Sequence, residues 1–356
     1  MTLRPSVTPS AHLDPGDPVA GLALADRDGN WIRFADDQRV AGFPTVFWVT
    51  PVPDAGHVSE LAAMLPVFAG MGAAVYVVSR GGLLTDAVMA KAPEVGLLYD
   101  PDGTVARAFG LTAGMGMLAF DANFRLYARF DEPAFAAAAT AVREMVERAH
   151  DEIVHESAPV LIVPQLFDPA MCARLMDAWR NGKQFVGRVS DASQQGRLEE
   201  NAEIKRRTDV AIEDGGLQAE ITELVARRVF PEMEKAFDFV PARCETFRIG
   251  CYDSADAGFF LRHRDNTTAR TRFRKFALTV NLNTGDYDGG DLQFPEYGRT
   301  LYAPDAGGAI VFNCSLLHEV KPVTRGRRFG IFSFMYDQDG FERGQALLRS
   351  GGVQPG

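Results

Sequence analysis

The sequence predicts two domains of different class: an α/β sandwich, then a mainly β barrel or sandwich with helices packed outside. Length is the first indication, because 356 residues exceed what one core usually holds. Rhythm is the second. Up to about residue 150, short β-prone runs alternate with helically spaced stretches; beyond about residue 240, strand candidates follow one another, separated by stretches marked by Gly, Asp, Asn and Pro. The change falls near Glu156-Ser157-Ala158-Pro159. The expected division is a polar leader (1–15), an α/β domain (16–155), a β-rich domain (156–345) and a short tail (346–356).

In the first domain, Thr45-Val46-Phe47-Trp48-Val49 and Ala74-Val75-Tyr76-Val77-Val78 read as strands. Between them Leu61, Met64, Leu65 and Phe68 recur at helical spacing, with Pro66 predicting a kink or break. Asp100-Pro101-Asp102-Gly103 is a turn before a short helix, 118–128 reads as a hairpin, and an Ala-rich helix runs from Asp131 to His150. In the second domain, Asp168 and Pro169 suit the start of a helix that buries Met171, Leu175, Met176 and Trp179. A helix over 217–237 is interrupted at Pro231, and strands are expected at 245–252, 258–263, 276–283, 291–294, 308–313 and 328–336.

Composition excludes several classes. A net charge of −10 argues against sequence-blind nucleic-acid binding, which needs a basic footprint. No apolar run reaches the roughly 18 residues of a membrane span. The N-terminus lacks the apolar core of a secretory signal, and four cysteines without CxxC spacing suit reduced thiols in a cytoplasm.

The chemistry lies in Gly258-Phe-Phe-Leu-Arg-His-Arg-Asp265. Side chains two apart on a strand share a face, so His263 and Asp265 can converge on one point. His318 follows the apolar run 308–312 and supplies a third donor. Two imidazoles and a carboxylate on one octahedral face leave three positions open, which suits non-haem Fe(II) holding a chelating cosubstrate and O2. Taken alone, His-x-Asp is also read as a chance pair at a strand end. The kinase reading of His-Arg-Asp fails, since no Asp-Phe-Gly follows it. Arg328, ten residues beyond His318, suits the far carboxylate of a dicarboxylate cosubstrate, while Arg325, Arg327 and Arg328 also read as a solvated basic turn.

With these residues in place, 160–336 resembles the prolyl 4-hydroxylase-like branch of the Fe(II)- and 2-oxoglutarate-dependent dioxygenases. The resemblance runs through Tyr252, Gly258-Phe259-Phe260, His263-Arg264-Asp265, 278–283, 287–294 and 318–326, in the family's order. It implies a double-stranded β-helix (jelly roll), with His263, Asp265 and His318 on Fe(II) and Arg328 on 2-oxoglutarate. Tyr252 and Asn281 would help hold the cosubstrate, and ascorbate is a candidate auxiliary reductant. The implied reaction hydroxylates a C–H bond of a small molecule, amino acid or peptide and releases succinate and CO2. Prolyl hydroxylation of a peptide or protein is the alternative within the class, and a non-catalytic binding protein the alternative outside it. Residues 266–275, with Arg270 and Arg272, read as a basic flap over the site or as a solvated loop, and Arg264 joins them as a candidate substrate contact. Ile204-Lys205-Arg206-Arg207-Thr208 reads as a polar strand edge or as part of the same cleft.

Residues 16–130 resemble the peroxiredoxin and thioredoxin-like family in Gly16-Asp17-Pro18, Phe47-Trp48, 98–103 and Phe120-Asp121. Those enzymes use a thiolate after the first central strand. Here 50–57 fills that loop and no cysteine precedes Cys172, so thiol peroxidase chemistry is excluded, and His57 reads as a surface loop residue. Dimerisation or substrate docking is the expected role. Truncation to residues 155–356 is expected to leave Fe(II) and 2-oxoglutarate binding intact in a titration, and loss of both would make the first domain integral to the site.

Overall fold

The two most β-prone runs of the first half, Thr45–Thr50 and Ala74–Ser79, lie side by side as parallel strands. In the computed structural model the chain divides into two units, Met1–Glu152 and Ile153–Gly356. The structure describes residues 13–19, 21–34, 42–80, 88, 91–147, 157–191, 197–268 and 270–349. Most of the expected leader, the end of the tail, His150, Glu156 and Ala269 lie outside these residues.

Among the described residues the first unit has seven strands: β1 (Ala23–Asp26), β2 (Trp31–Arg33), β3 (Thr45–Thr50), β4 (Ala74–Ser79), β5 (Gly96–Tyr99), β6 (Gly116–Phe120) and β7 (Leu126–Phe130). Their order in one mixed sheet is β2-β1-β5-β4-β3-β6-β7. Alternate residues of β3 serve separate cores: Phe47 and Val49 pack with Phe34 and Phe120, while Val46 and Trp48 pack against α1 (Ala55–Gly70) and α3 (Phe135–Glu147). A short helix, α2 (Thr104–Ala108), follows the Asp100 turn. Pro66 does not break α1, which runs unbroken through it. Pro66 is exposed, so water can hydrate the carbonyl its missing N–H leaves unbonded. His57 sits in the first turn of α1 rather than in a loop, with its backbone N–H on the Asp54 cap.

The second unit begins with a strand, β8 (Val160–Val163), before α4 (Pro169–Asn181), whose cap Asp168 accepts the Met171 N–H at 2.7 Å. Four more strands, β9 (Gln184–Val186), β10 (Val189–Asp191), β11 (Arg197–Glu199) and β12 (Thr208–Ala211), precede α5 (Gly215–Arg228) and α6 (Phe230–Phe237). The expected order of helices first and strands after is therefore corrected. Thr208-Asp209-Val210-Ala211 is too short and polar to register as a strand until its neighbours pair with it.

The remaining strands are β13 (Arg243–Cys244), β14 (Arg248–Asp253), β15 (Phe260–His263), β16 (Phe276–Asn281), β17 (Asp288–Gly289), β18 (Leu292–Gln293), β19 (Leu301–Tyr302), β20 (Ala309–Asn313), β21 (His318–Val320), β22 (Val323–Arg325) and β23 (Arg327–Tyr336), followed by α7 (Gln338–Arg349). A large antiparallel sheet runs β8-β20-β16-β23-β14-β12-β9 and a smaller one β15-β21-β18-β19. From β14 to β23 the chain passes back and forth between them, the course of a jelly roll.

Strand alternation separates two cores. Ile249, Leu278, Val280, Val311 and Ile331 face α4 and α5, whereas Tyr252, Ala277, Ile310 and Phe312 pack with Leu292, Phe294 and Val320 of the smaller sheet. Ile331 is fully buried and paired with both Ile249 and Val280. Ile331→Ala is expected to cost about 2–5 kcal/mol, read as a lower urea midpoint with an unchanged slope.

Candidate metal centre

Antiparallel pairing of β15 with β21 sets His263 directly opposite His318, next to a register shift between Phe260 and His263. Asp265 is not on the strand. It lies in the turn beyond it, where its N–H donates to the Cys314 carbonyl at 3.0 Å. The shared face expected for His263 and Asp265 is therefore replaced by a strand end and a tied turn. The result is convergent: His263 Nε2 lies 3.5 Å from Asp265 Oδ1, and His318 Nε2 lies 3.4 Å from Oδ2.

Hydrogen bonds fix which imidazole nitrogens are free. His263 Nδ1 donates to the Leu261 carbonyl at 2.7 Å, and His318 Nδ1 to that of Leu316 at 3.0 Å. A carbonyl only accepts, so each Nδ1 carries a proton, and Nε2 is the nitrogen each ring turns toward the carboxylate. Burial, against the pull of Asp265, holds His318 down to about 4. For Asp265, burial raises the carboxyl, yet His318 and His263 outweigh it and keep the group well below the usual carboxylate range. A neutral imidazole beside an ionised carboxylate is the state that metal binding requires. Two donors each about 2.1 Å from one ion at a right angle lie about 3.0 Å apart, so the observed spacings need only a few tenths of an ångström of closure. The donor set fits a divalent ion of the 2-His-1-carboxylate type.

The surrounding side chains hold the ligands. Phe260 stacks on His263 with ring centroids 3.5 Å apart, and Phe312 meets His318 edge-on at 4.6 Å. Arg264 forms a two-point ion pair with Glu296, at 2.6 and 3.1 Å, and also donates to the Ser315 carbonyl. Glu296 in turn accepts the Leu317 N–H at 3.1 Å, so one carboxylate ties the Asp265 turn to the residue before His318. Arg264 is thus engaged in supporting the ligands. Arg270 is half-buried and Arg272 exposed, and Arg274 is held by Glu245 at 2.7 and 2.8 Å with its guanidinium over Phe334. That pair removes Arg274 from the expected basic flap; Ala269, within it, lies outside the described residues.

The three arginines of the β22–β23 turn separate clearly. Arg325 and Arg327 are exposed and pair with Asp288 and Asp253. Arg328 is 2% exposed and opposite Tyr252 on the neighbouring strand, its guanidinium 5.5 Å from that ring. It donates to the Gly290 carbonyl at 2.8 Å and to Asn281 Oδ1 at 3.0 Å, both neutral acceptors. Its Nε is buried without a partner, and among the described residues no carboxylate pairs with it. A buried cation with a donor unspent is a site for an anion. Gly290 allows the approach: its φ is +71°, and a Cβ there would lie 3.1 Å from Arg328 Cδ and 2.8 Å from Val323 Cγ2.

Asn281 also donates to Thr284 Oγ1 and the Pro304 carbonyl, both at 3.1 Å. Its side chain is committed to orienting Arg328. Sequence reading missed this role and the Arg264–Glu296 brace, because both depend on partners distant in the chain. Of the two readings of 204–208, the polar strand edge is corrected for Lys205 and Arg207, which are buried at 5% and 9% exposure. The signal was present in Arg207 and Asp209, opposite charges two apart on one strand face.

Residues 247–336, which contain all these groups except Lys205, Arg207, Asp209 and Glu245, match the 2OG-Fe(II) oxygenase superfamily. A PKHD-type hydroxylase of Stutzerimonas stutzeri is 26% identical over 181 residues, which span 49% of this chain and 76% of the relative. Among solved structures, a Trichoplax adhaerens prolyl hydroxylase bound to a hypoxia inducible factor peptide overlays at TM-score 0.42, with 16% identity over 56% of this chain and 89% of that one. The Mycobacterium tuberculosis peroxidoxin BcpB overlays at TM-score 0.33, with 21% identity over 38% of this chain and 99% of that one. Asn281→Ala is expected to weaken 2-oxoglutarate binding by roughly tenfold, from one lost charge-assisted bond, and to leave metal affinity unchanged in parallel titrations. The match over 247–336 and the convergence of His263, Asp265 and His318 within it support a 2OG-Fe(II) oxygenase domain in the second unit, similar to the PKHD-type hydroxylases.

Proposed function

We propose that the protein is an Fe(II)- and 2-oxoglutarate-dependent dioxygenase that hydroxylates a C–H bond of a small molecule, amino acid or peptide. The observation that carries this reading is the pairing of two features in one jelly roll: a three-donor metal set, and a buried guanidinium with no ion-pair partner among the described residues. His263, Asp265 and His318 would hold the iron, and Arg328 the distal carboxylate of 2-oxoglutarate. Bound there, iron, 2-oxoglutarate and O2 supply the two-electron oxidation of the C–H bond, with succinate and CO2 as co-products. The chain's part is to position and to exclude water. Phe260, Phe294 and Phe312 surround the imidazoles with apolar surface, which keeps the local dielectric low. Asn281 and the Gly290 carbonyl aim the Arg328 fork before any ligand arrives, so little ordering remains to be done on binding.

For the first unit we read a peroxiredoxin-like fold that has lost its thiolate and serves as a dimerisation or substrate-docking surface. Support comes from the parallel β5-β4-β3 core, extended by the antiparallel β6 and β7, and from a β3–α1 loop that offers Thr50, Pro51 and Pro53 but no cysteine. Among the described residues, no helix is long and apolar enough to cross a membrane.

The direct test is anaerobic addition of Fe(II) and 2-oxoglutarate to the folded protein. A visible charge-transfer band is expected, and its absence would sink the enzymatic reading in favour of a non-catalytic binding protein. His263→Ala or Asp265→Ala should abolish the band. Arg328→Ala should retain iron but weaken 2-oxoglutarate by roughly 10- to 100-fold, the worth of a charged bidentate contact. Succinate release, screened across amino acids and peptides, then identifies the substrate.

A further inference from the structure

The inner side of the large sheet holds more positive charge than its own carboxylates neutralise. Arg207 lies 4.1 Å over the Phe332 ring and 5.6 Å from Tyr252, the ring that Arg328 approaches at 5.5 Å. Asp209, fully buried, meets Arg207 through two bonds of 2.5 and 2.7 Å, which uses both of its oxygens. Glu245 is likewise taken by Arg274, at 2.7 and 2.8 Å. Asp265 belongs to the metal set.

Two cations remain. Lys205 is 5% exposed, and the hydrogen bond seen at its Nζ is to the Arg188 carbonyl at 3.2 Å. Its Nζ also sits 4.9 Å over the Phe260 ring, and that ring stacks on His263. One phenyl ring therefore separates the ammonium from a metal ligand. Arg248, on β14 opposite Phe332 and Ala211, is half-buried, and its side chain makes no hydrogen bond among the described residues. Gly187 leaves the lysine its room, since a Cβ there would come within 3.0 Å of Lys205 Cε and 3.1 Å of Nζ.

Buried cations without counter-charge are costly, and such sites persist where a ligand supplies the missing anion. We infer that Lys205 and Arg248 form an anion-binding subsite beside the metal centre that receives a carboxylate of the substrate to be oxidised. This rests on the reading of the protein as a 2-oxoglutarate-dependent oxygenase, in which Arg328 already takes the cosubstrate carboxylate and a second anion must belong to the other substrate. The electrostatics agree. Burial first, then Arg207, push Lys205 down to about 7, with Asp209 pulling the other way and Arg248 adding to the depression. Burial also lowers Arg248. The substrate class is a compound with a free carboxylate, one end anchored at Lys205 and Arg248 and a C–H bond presented toward His263, Asp265 and His318.

Propanoate and its neutral isostere propanamide serve as probes, titrated calorimetrically into the full chain loaded anaerobically with Fe(II) and 2-oxoglutarate. Saturable propanoate binding is expected, with propanamide at least tenfold weaker. Lys205→Met and Arg248→Gln should each weaken propanoate at least tenfold and leave the 2-oxoglutarate titration unchanged, while Lys205→Arg should retain binding. Lys205→Met should melt no lower than the parent, because it deletes an uncompensated charge; a purely structural lysine would leave the variant less stable. Should Lys205→Met fail to fold, Arg248→Gln decides, having no hydrogen bond to lose. Unchanged propanoate affinity in Arg248→Gln, or no saturable propanoate binding by the parent, would overturn the subsite. A charge-transfer band that forms normally while propanoate fails to bind overturns the subsite alone. Loss of the band overturns the oxygenase reading, and propanoate titration without iron and 2-oxoglutarate then still reads the anion site.

Discussion

The cross-strand pairing of His263 with His318 is the constraint on which the centre depends. Side chains alternate faces along a strand, so slipping β15 by one residue against β21 would turn one imidazole out of the site. Local devices hold the register. The shift between Phe260 and His263 re-aims the strand end, the Asp265 amide is tied to Cys314, and Glu296 joins Arg264 to the Leu317 amide. Carbonyls two residues before each histidine then set both tautomers. Backbone geometry thus prepares the lone pairs, and the carboxylate arrives from a turn.

A second theme is the unequal treatment of buried charge. Arg207–Asp209 and Arg274–Glu245 are closed pairs with two contacts each, and removing one partner from such a pair typically costs about 3–5 kcal/mol. Arg328 and Lys205 are open: among the described residues they meet neutral oxygens and an aromatic face, and the Arg248 side chain makes no ion pair there. Closed pairs stiffen the inner face of the large sheet, and open ones leave it electropositive around the metal ligands. In a chain with net charge −10, this concentration of cations inside one domain is a local property that composition hides.

The first unit has a plainer economy. Its sheet separates two apolar cores, one rich in phenylalanine around Phe34, Phe47 and Phe120, the other lined by α1 and α3. The β3–α1 junction is closed by the Asp54 cap and two prolines.

Much of this was legible along the chain. Apolar alternation is a local property, so the central strands β3, β4, β16 and β23 could be read from their own residues, and Asp168 announced its helix by cap chemistry alone. Residue type and order likewise pointed to His263, Asp265, His318 and Arg328, because metal and carboxylate recognition demand those groups. What local pattern could not supply was pairing. The strands β9 and β12 are strands only because neighbours accept them, Pro66 is tolerated only because its face meets water, and Asp265 converges from a turn rather than a strand. The fates of the arginines were decided the same way. Whether Arg264 braces a ligand, Arg274 closes a pair or Arg328 stays open depends on which carboxylates the sheets bring within reach, and those lie tens of residues away in sequence. Residue identity determined what chemistry the protein could hold; tertiary contact decided which charges were left free to perform it.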